Sequence, residues 1–120
     1  MLTEEVHYKL FKLLEANPEL NQRQVAIALG VSLGKVNYCL RALVSKGWIK
    51  VANFKDSNSK AAYMYLLTPR GIDEKARVTM RFLQTRLREY EALKVEIDQI
   101  RQEARRVAER SGGAHVDAAG

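Results

Sequence analysis

The alternation of apolar and polar residues between positions 21 and 47 predicts two short helices joined by a tight turn. Asn21 is a suitable N-cap for the first helix, Gln24 can complete a capping box, and Gly30 supplies the left-handed residue that commonly ends a helix. Ser32 caps the second helix, and Gly47 closes it. The apolar residues expected to face a core are Val25, Ala26 and Leu29 in the first helix and Val36, Cys39, Leu40 and Leu43 in the second. Two such helices around a turn are typical of a helix-turn-helix.

The segment in front of this pair predicts another helix, which Thr3 caps and Pro18 follows. Its buried stripe is expected to contain Val6, Leu10, Leu13 and Leu14, with Phe11 at the margin. Three helices are then in place by residue 47, which is the minimum for a three-helix core.

After Gly47 the pattern changes to that of two short strands, residues 48–51 and 62–67, which are rich in aromatic and β-branched residues. The polar, turn-forming residues 53–60 lie between them, so we expect a β-hairpin with a basic tip. Tyr63 and Tyr65 share one face of this hairpin, and packing on the following helix is favoured over base stacking. A hairpin that follows a helix-turn-helix is a wing, and the fold would therefore be a winged helix.

Thr68 and Pro69 then begin a long helix over residues 69–110, with Thr68 as the cap and Pro69 in the first turn. From Ala76 to Val107 its apolar residues recur at spacings of three and four, with one shortened step near Tyr90 that resembles a stammer. A domain this small cannot cover such a seam, so we expect a second copy of the chain to do so. The predicted dimerisation residues are Met80, Leu83, Leu87, Tyr90, Leu93, Ile97 and Ile100. Parallel and antiparallel pairing both remain open.

The predicted fold class is mainly α (α+β): a winged helix-turn-helix domain over residues 1–68, a dimerisation helix over residues 69–110 and a disordered tail over residues 111–120. A chain of 120 residues with 47% hydrophobic residues suits one small domain.

Positive charge is concentrated on the helix-turn-helix and the hairpin. The chain has a formal net charge of +6, and residues 20–60 alone carry seven cations and one anion, which is the same excess. This distribution favours an anionic partner that docks on that part of the chain. The seven cations are Arg23, Lys35, Arg41, Lys46, Lys50, Lys55 and Lys60.

Other classes of function find little support in the residues. The single Cys39 excludes an internal disulfide and fits a reducing compartment, and a small core residue is favoured over a redox sensor. No apolar run could span a bilayer and no signal peptide is evident, so a cytoplasmic protein without a membrane partner is expected. His7 and His115 are far apart, and no His/Cys cluster or nucleophile motif predicts a metal, a cofactor or catalysis.

With these elements in hand, the chain resembles the winged-helix regulators of the MarR family, and in particular the subgroup associated with exopolysaccharide gene clusters. The resemblance lies in LTEEVHYKLFKLLEANPELNQRQVAIALGVSLGKVNYCLRALVSKGWIK and in NFK…YLLTPRGIDEKARVT, and VSLGKVNYCLRAL is its most specific part. It covers roughly residues 2–95 and implies a bacterial DNA-binding transcriptional regulator that acts as a homodimer. Typical members carry a further N-terminal helix that contributes to dimerisation and to a ligand pocket, whereas this sequence begins at the helix-turn-helix domain. The small-molecule effector is therefore left unspecified.

In such a regulator the helix over residues 32–46 enters the major groove of double-stranded DNA, and the wing over residues 53–60 contacts the backbone or minor groove. Asn37 can pair with adenine, and Arg41 or Lys35 with guanine. Gly34 lets the backbone approach closely, and Tyr38 can contact a phosphate or a thymine methyl. The full set of candidate DNA-binding residues is Gln22, Arg23, Ser32, Leu33, Gly34, Lys35, Asn37, Tyr38, Arg41, Lys55, Asn58, Ser59 and Lys60.

Two alternatives remain open. A polar, basic helix face is often simply solvated, and Ser32 is favoured as a plain cap over a phosphate ligand. Winged helices also serve as protein-docking modules, so the chain could be an adaptor that pairs with a different protein through its long helix. The combination of turn, wing and localised charge favours a regulator that reads a roughly palindromic site, with exopolysaccharide genes as possible targets.

Overall fold

The structure, a computed structural model, describes residues 3–55 and 61–112, except for the side chains of residues 54, 55, 61 and 62. Three helices come first: α1 (Glu4–Ala16), α2 (Gln22–Leu29) and α3 (Leu33–Ser45). An antiparallel hairpin of β1 (Ile49–Lys55) and β2 (Ala61–Leu67) follows, and then the long helix α4 (Pro69–Arg110). The predicted fold class, three helices with a small hairpin and a long C-terminal helix, is confirmed.

The helix boundaries follow from local capping. Thr3 Oγ1 accepts a hydrogen bond from the Val6 amide at 3.2 Å, and so caps α1. At α2 both halves of the capping box form: the Gln24 amide donates to Asn21 Oδ1 at 2.8 Å, and the Asn21 amide donates to Gln24 Oε1 at 2.9 Å. The predicted caps of these helices are therefore confirmed.

Both strands of the hairpin are longer than predicted. In the register Ile49 pairs with Leu67 and Asn53 pairs with Tyr63, and the ladder continues to Lys55 and Ala61. Residues 53–55 thus belong to β1 and not to a loop, because their backbone groups keep their cross-strand partners despite the polar side chain of Asn53. The rest of the predicted wing tip, residues 56–60, lies outside the described residues.

The core collects side chains from every element of the N-terminal part. Phe11 is fully buried, whereas Leu13 is only half-buried, so the prediction that Phe11 lies at the margin of α1 was wrong. Its ring centroid lies 4.8 Å from that of His7 and 6.3 Å from that of Trp48, and these rings cover a face that α1 alone would leave open. The buried apolar residues are Leu10, Phe11, Leu14, Val25, Ala26, Val36, Cys39, Leu40, Leu43, Ile49, Tyr65 and Val78.

Hydrogen bonds of Thr68 hold the start of α4 against the turn that ends α3. Thr68 Oγ1 accepts from the Gly71 amide at 3.0 Å and donates to the Gly47 carbonyl at 2.5 Å, while the Thr68 amide donates to the Trp48 carbonyl at 3.0 Å. A Cβ atom built on Gly71 would lie 1.8 Å from the Trp48 carbonyl oxygen. The close approach of the two backbones therefore requires glycine at position 71.

The chain divides into two compact units, Met1–Phe82 and Leu83–Gly120. In the first unit the buried carboxylate of Glu74 pairs with Arg77 at 3.2 Å and with Arg81 at 3.9 Å. In the second unit the described residues are the remainder of α4 and a short turn at residues 111–112. Residues 113–120, most of the predicted tail, lie outside the described residues.

His7 is expected to make the fold less stable in mild acid. Its imidazole stacks on Trp48 with centroids 5.7 Å apart, and its buried Nε2 has no hydrogen-bond partner among the described residues. Burial lowers the pKa of His7 below 6.5; Glu74 opposes this effect, and Arg81 and Lys46 add to it. The unfolded state then binds more protons, so the free energy of unfolding is largest above pH 6.5 and falls as the pH drops through 6.5 towards the folded pKa.

Thermal denaturation of the wild type and of His7→Phe at about pH 7.5 and about pH 5.5 checks this expectation. The fall in Tm between the two pH values should be smaller in the variant, which lacks the titrating ring. An equal fall in both proteins would contradict the assignment to His7.

Among the helices of the described chain, none is on its own long and apolar enough to cross a membrane; α2 and α3 taken together pass by length and composition only, with a bend of 109° between them.

Candidate nucleic-acid interface

The geometry of α2, the turn and α3 places one face of α3 at the surface. Gly30 adopts a left-handed conformation with φ of 68°, and its amide donates to the Ile27 carbonyl, which ends α2. Ser32 Oγ then accepts from the Lys35 amide at 3.1 Å and begins α3. The resulting angle of 109° between the helices lies in the range of helix-turn-helix motifs.

The two faces of α3 differ sharply in burial. Val36, Cys39, Leu40 and Leu43 are buried, as the sequence predicted. The Cys39 thiol lies in the core, and burial raises the pKa of this thiol. A thiol that stays protonated is unreactive, so a packing role is favoured. The exposed residues of the opposite face are Ser32, Leu33, Gly34, Tyr38, Arg41 and Ser45.

Arg41 occupies the centre of this exposed face. Its side chain lies between two shallow hollows, one running along α3 past Gly34 and Tyr38 and the other reaching Val51 and Tyr65 of the hairpin. Within residues 3–55 and 61–112 no carboxylate forms an ion pair with Arg41. Tyr38 beside it is 62% exposed. A cation and an aromatic hydroxyl are therefore both presented to solvent.

Asn37 and Gln22, both candidate DNA contacts, are joined to each other inside the protein. Asn37 Nδ2 donates to Gln22 Oε1 at 3.2 Å, and Gln22 Nε2 donates to the Tyr65 hydroxyl at 3.2 Å. This chain of hydrogen bonds links α3, α2 and β2. Both amide side chains are half-buried, so their orientation is set before any ligand arrives.

Tyr65 is the residue of this site that sequence reasoning missed. The sequence interpretation had both tyrosines of β2 packing on the long helix. The Tyr65 hydroxyl instead accepts a hydrogen bond from Gln22 of α2, and the Tyr63 side chain is largely exposed. The Tyr65 amide also donates to the Pro18 carbonyl at 3.0 Å, which brings β2 against the loop between α1 and α2. The two-residue spacing of the tyrosines along β2 indicates that their side chains share one face of the hairpin. It does not indicate which element packs against that face.

The remaining candidates are spread around this face. Arg23 is exposed at the first turn of α2, next to Gln22, and Lys35 is half-buried in the first turn of α3. Lys55 ends β1, but its side chain is not described, and the candidates Asn58, Ser59 and Lys60 lie outside the described residues. In the part of the chain that the structure describes, no three His, Cys, Asp or Glu residues come together as they would around a metal ion.

Residues 3–50, which contain α1, α2, α3 and the beginning of β1, match the model of a protein family described as winged helix-turn-helix DNA-binding. The fold is a winged helix-turn-helix. In this winged helix α3 occupies the position of the recognition helix, and the β1–β2 hairpin is the wing. The sequence matches no curated protein.

Several solved structures resemble the winged helix and its long helix. They include the PcaV transcriptional regulator from Streptomyces coelicolor, solved with its natural ligand, with a TM-score of 0.58 and 21% identity over 82% of this chain and 72% of that chain. MepR, a transcription regulator of the Staphylococcus aureus multidrug efflux pump MepA, has a TM-score of 0.55 and 21% identity over 92% and 79%. A MarR/EmrR family transcriptional regulator from Acinetobacter sp. ADP1 has a TM-score of 0.52 and 20% identity over 87% and 75%. At these identities the likeness establishes the fold.

Proposed function

We propose that this protein is a homodimeric, sequence-specific transcriptional regulator of the MarR type that binds double-stranded DNA through α3 and the wing. The observation that supports this most directly is the exposed polar face of α3. Arg41, Tyr38 and Gly34 lie at the surface, and the other described elements of the fold leave them uncovered. The helix-turn-helix pattern and the local excess of six positive charges supply the complementary shape and charge.

In the proposed complex α3 enters the major groove. Arg41 donates to guanine O6 and N7, and the absence of a side chain at Gly34 allows the helix to approach the edges of the bases. Asn37 reads adenine: its amide nitrogen carries two hydrogens, so its bond to Gln22 leaves one hydrogen and the carbonyl oxygen for a base. Lys35, Leu33 and Ser32 lie at the N-terminal turn of α3, where backbone amides favour a phosphate.

The flanks of the site are proposed to hold the DNA backbone. Exposed Arg23 at the start of α2 contacts a phosphate, and Lys55, Asn58, Ser59 and Lys60 of the wing contact phosphates or the minor groove. Such contacts position the protein without reading much sequence. In this proposal sequence is read mainly by the α3 residues.

Two copies of α3 are proposed to read a roughly palindromic site. The support is the exposed apolar seam of α4, which includes Leu83, Leu87 and Leu93 and which no other element of its unit covers within the described residues. A two-fold symmetric pair would place two identical recognition helices on two half-sites. The division into a DNA-binding domain over residues 1–68 and a dimerisation helix over residues 69–110 is part of this proposal.

Exopolysaccharide genes are proposed as the targets, on the resemblance of VSLGKVNYCLRAL to the exopolysaccharide-associated subgroup. Chromatin immunoprecipitation followed by sequencing in the native host tests this assignment. Enrichment at promoters of exopolysaccharide clusters is expected, and enrichment confined to other promoters would refute it.

Binding of the full chain to duplex DNA is expected to be sequence-selective and strongly salt-dependent. Selection from a pool of random duplexes should yield an enriched motif with two-fold symmetry. With about six phosphate contacts, affinity should fall by roughly a thousandfold between about 50 and about 200 mM salt, because counterions are released on binding. Fluorescence anisotropy with the selected duplex measures this slope.

Absence of duplex binding at the lowest salt concentration would overturn the proposal. If in addition the chain formed a stoichiometric complex with a different protein through α4, the adaptor interpretation would replace it. An enriched motif without two-fold symmetry would leave DNA binding in place and remove the palindromic arrangement.

A further inference from the structure

Up to residue 112, the second unit of the chain is the remainder of α4, with one apolar side that no other described element of the unit covers. The larger apolar residues on this side are 39–56% exposed, although most residues of this kind are buried in folded proteins. These residues and the smaller Ala104 are called the α4 seam below; the larger ones are Leu83, Leu87, Tyr90, Leu93, Ile97, Ile100 and Val107. The regular part of the seam runs from Leu93 to Val107 with spacings of four, three, four and three, if Ala104 is included.

Charges of opposite sign border the two edges of this regular part. With Leu93, Ile100 and Val107 at the d positions and Ile97 and Ala104 at the a positions, the g edge carries Glu89, Glu96 and Glu103, and the e edge carries Lys94 and Arg101. All five charged residues are exposed. Within residues 3–55 and 61–112, Glu96, Arg101 and Glu103 form no ion pair with another side chain.

This arrangement distinguishes between the two directions in which a second helix could lie. In a parallel pair each g position faces the e position five residues later on the other helix, so Glu89 would meet Lys94 and Glu96 would meet Arg101. In an antiparallel pair with the same seam layers, g positions face g positions and e positions face e positions. Glu96 would then meet Glu103, and Lys94 would meet Arg101, so both edges would repel.

We propose that the α4 seam is occupied by a second copy of this chain, parallel and in register, with Glu89 and Glu96 facing Lys94 and Arg101 of the partner subunit. The proposal rests on the homodimer of the proposed function and adds its direction. Two-fold symmetry forms each of these ion pairs twice across the interface. In each chain α4 runs from Pro69 into the seam without interruption. Because the two helices are parallel, both chains enter the paired segment from the same end.

Disulfide trapping of two variants of the full-length protein, each with one added cysteine, tests the direction. Leu93→Cys and Ala104→Cys both lie in the seam, and native Cys39 is buried and does not compete. In the parallel pair each new thiol faces the same residue of the partner, within the Cα separation of about 7 Å that a disulfide permits. Each variant alone should therefore form a covalent dimer on mild oxidation, and a mixture should give no crosslink between residues 93 and 104.

An antiparallel pair gives the opposite pattern. Residues 93 and 104 then face each other, whereas identical residues lie about 16 Å apart along the helix. Crosslinking in the mixture alone, detected by a size tag on one variant, would overturn the proposal. A monomer at all concentrations, a trimer, or pairing only with a different protein in analytical ultracentrifugation would also overturn it.

Charge reversal supplies a second measurement that does not depend on cysteine. Arg101→Glu should weaken dimerisation by about three- to thirtyfold, because attraction at two symmetric sites becomes repulsion. Glu96→Lys in the same chain should restore most of the loss. In an antiparallel pair Arg101→Glu would instead relieve the repulsion between Lys94 and Arg101 and strengthen the dimer. An unchanged or tighter dimer constant in Arg101→Glu, or a failure of the rescue, would therefore contradict the parallel register.

Neither measurement uses DNA, so the inference and the proposed function can fail separately. An antiparallel dimer that binds the selected duplex would refute only the direction. A parallel dimer without affinity for any duplex would refute only the regulator.

Discussion

The Gly71→Ala variant is expected to lose about 2–3 kcal/mol of unfolding free energy, because the added methyl has no space. It would lie 1.8 Å from the Trp48 carbonyl oxygen and 2.8 Å from the carbonyl carbon. These are backbone atoms in the link between α3 and β1, so no rotation of a side chain can relieve the overlap. Separation of the two backbones would in turn break the hydrogen bond between the Thr68 amide and that same carbonyl.

Thermal and urea denaturation at a fixed protein concentration measure this effect, and Tm should fall by about 10 °C. Gly34→Ala is the matched control, since a Cβ at Gly34 meets no atom within 4 Å and α3 gains a better helix former. Its stability should rise by up to about 1 kcal/mol. Equal Tm values for the two variants would show that the contact between α4 and Trp48 is not close-packed in solution.

The Arg41→Ala variant is expected to bind the selected duplex about 5- to 150-fold more weakly than the wild type. A bidentate arginine–guanine pair contributes about 1–3 kcal/mol of discrimination, and alanine can replace none of it. The Tm should be nearly unchanged, because Arg41 is exposed and forms no ion pair with the described residues. Fluorescence anisotropy at one salt concentration and thermal denaturation give the two values.

Arg105→Ala is the control for this variant. It removes the same charge from an exposed position of α4 that lies outside the seam and outside its charged edges. A general electrostatic attraction would weaken binding by both variants alike, whereas a base contact is lost only at Arg41. Arg41→Lys sharpens the distinction, because it keeps the charge but not the bidentate geometry. Equal affinities for all four proteins would remove Arg41 from the interface.

The hydrogen bonds among Gln22, Asn37 and Tyr65 give the candidate site a rigidity that its sequence does not suggest. A polar helix face whose amides rotate freely would have to order them on binding, at a cost in side-chain entropy. Here Asn37 is held by α2, and α2 is held by the hairpin. Recognition helix and wing are therefore connected through one chain of polar contacts.

The sequence by itself was sufficient for the features that depend on neighbours along the chain. Capping by Asn21 and Ser32, the left-handed Gly30 and the buried face of α3 each involve residues of a single helix or its caps, so spacing alone predicts them. The charges along the α4 seam belong to the same class, since a helix fixes which residues share an edge.

Only the tertiary structure decided the features that join distant segments. Burial of Phe11 depends on Trp48, the role of Tyr65 depends on Gln22, and the need for glycine at position 71 depends on a carbonyl 23 residues earlier in the chain. Periodicity tells which side chains of an element share a face, but it does not tell which element packs against that face. That choice is made when the hairpin packs against α1 and reaches Gln22 of α2, and when α4 begins against the end of α3, because only then do these groups come within contact distance.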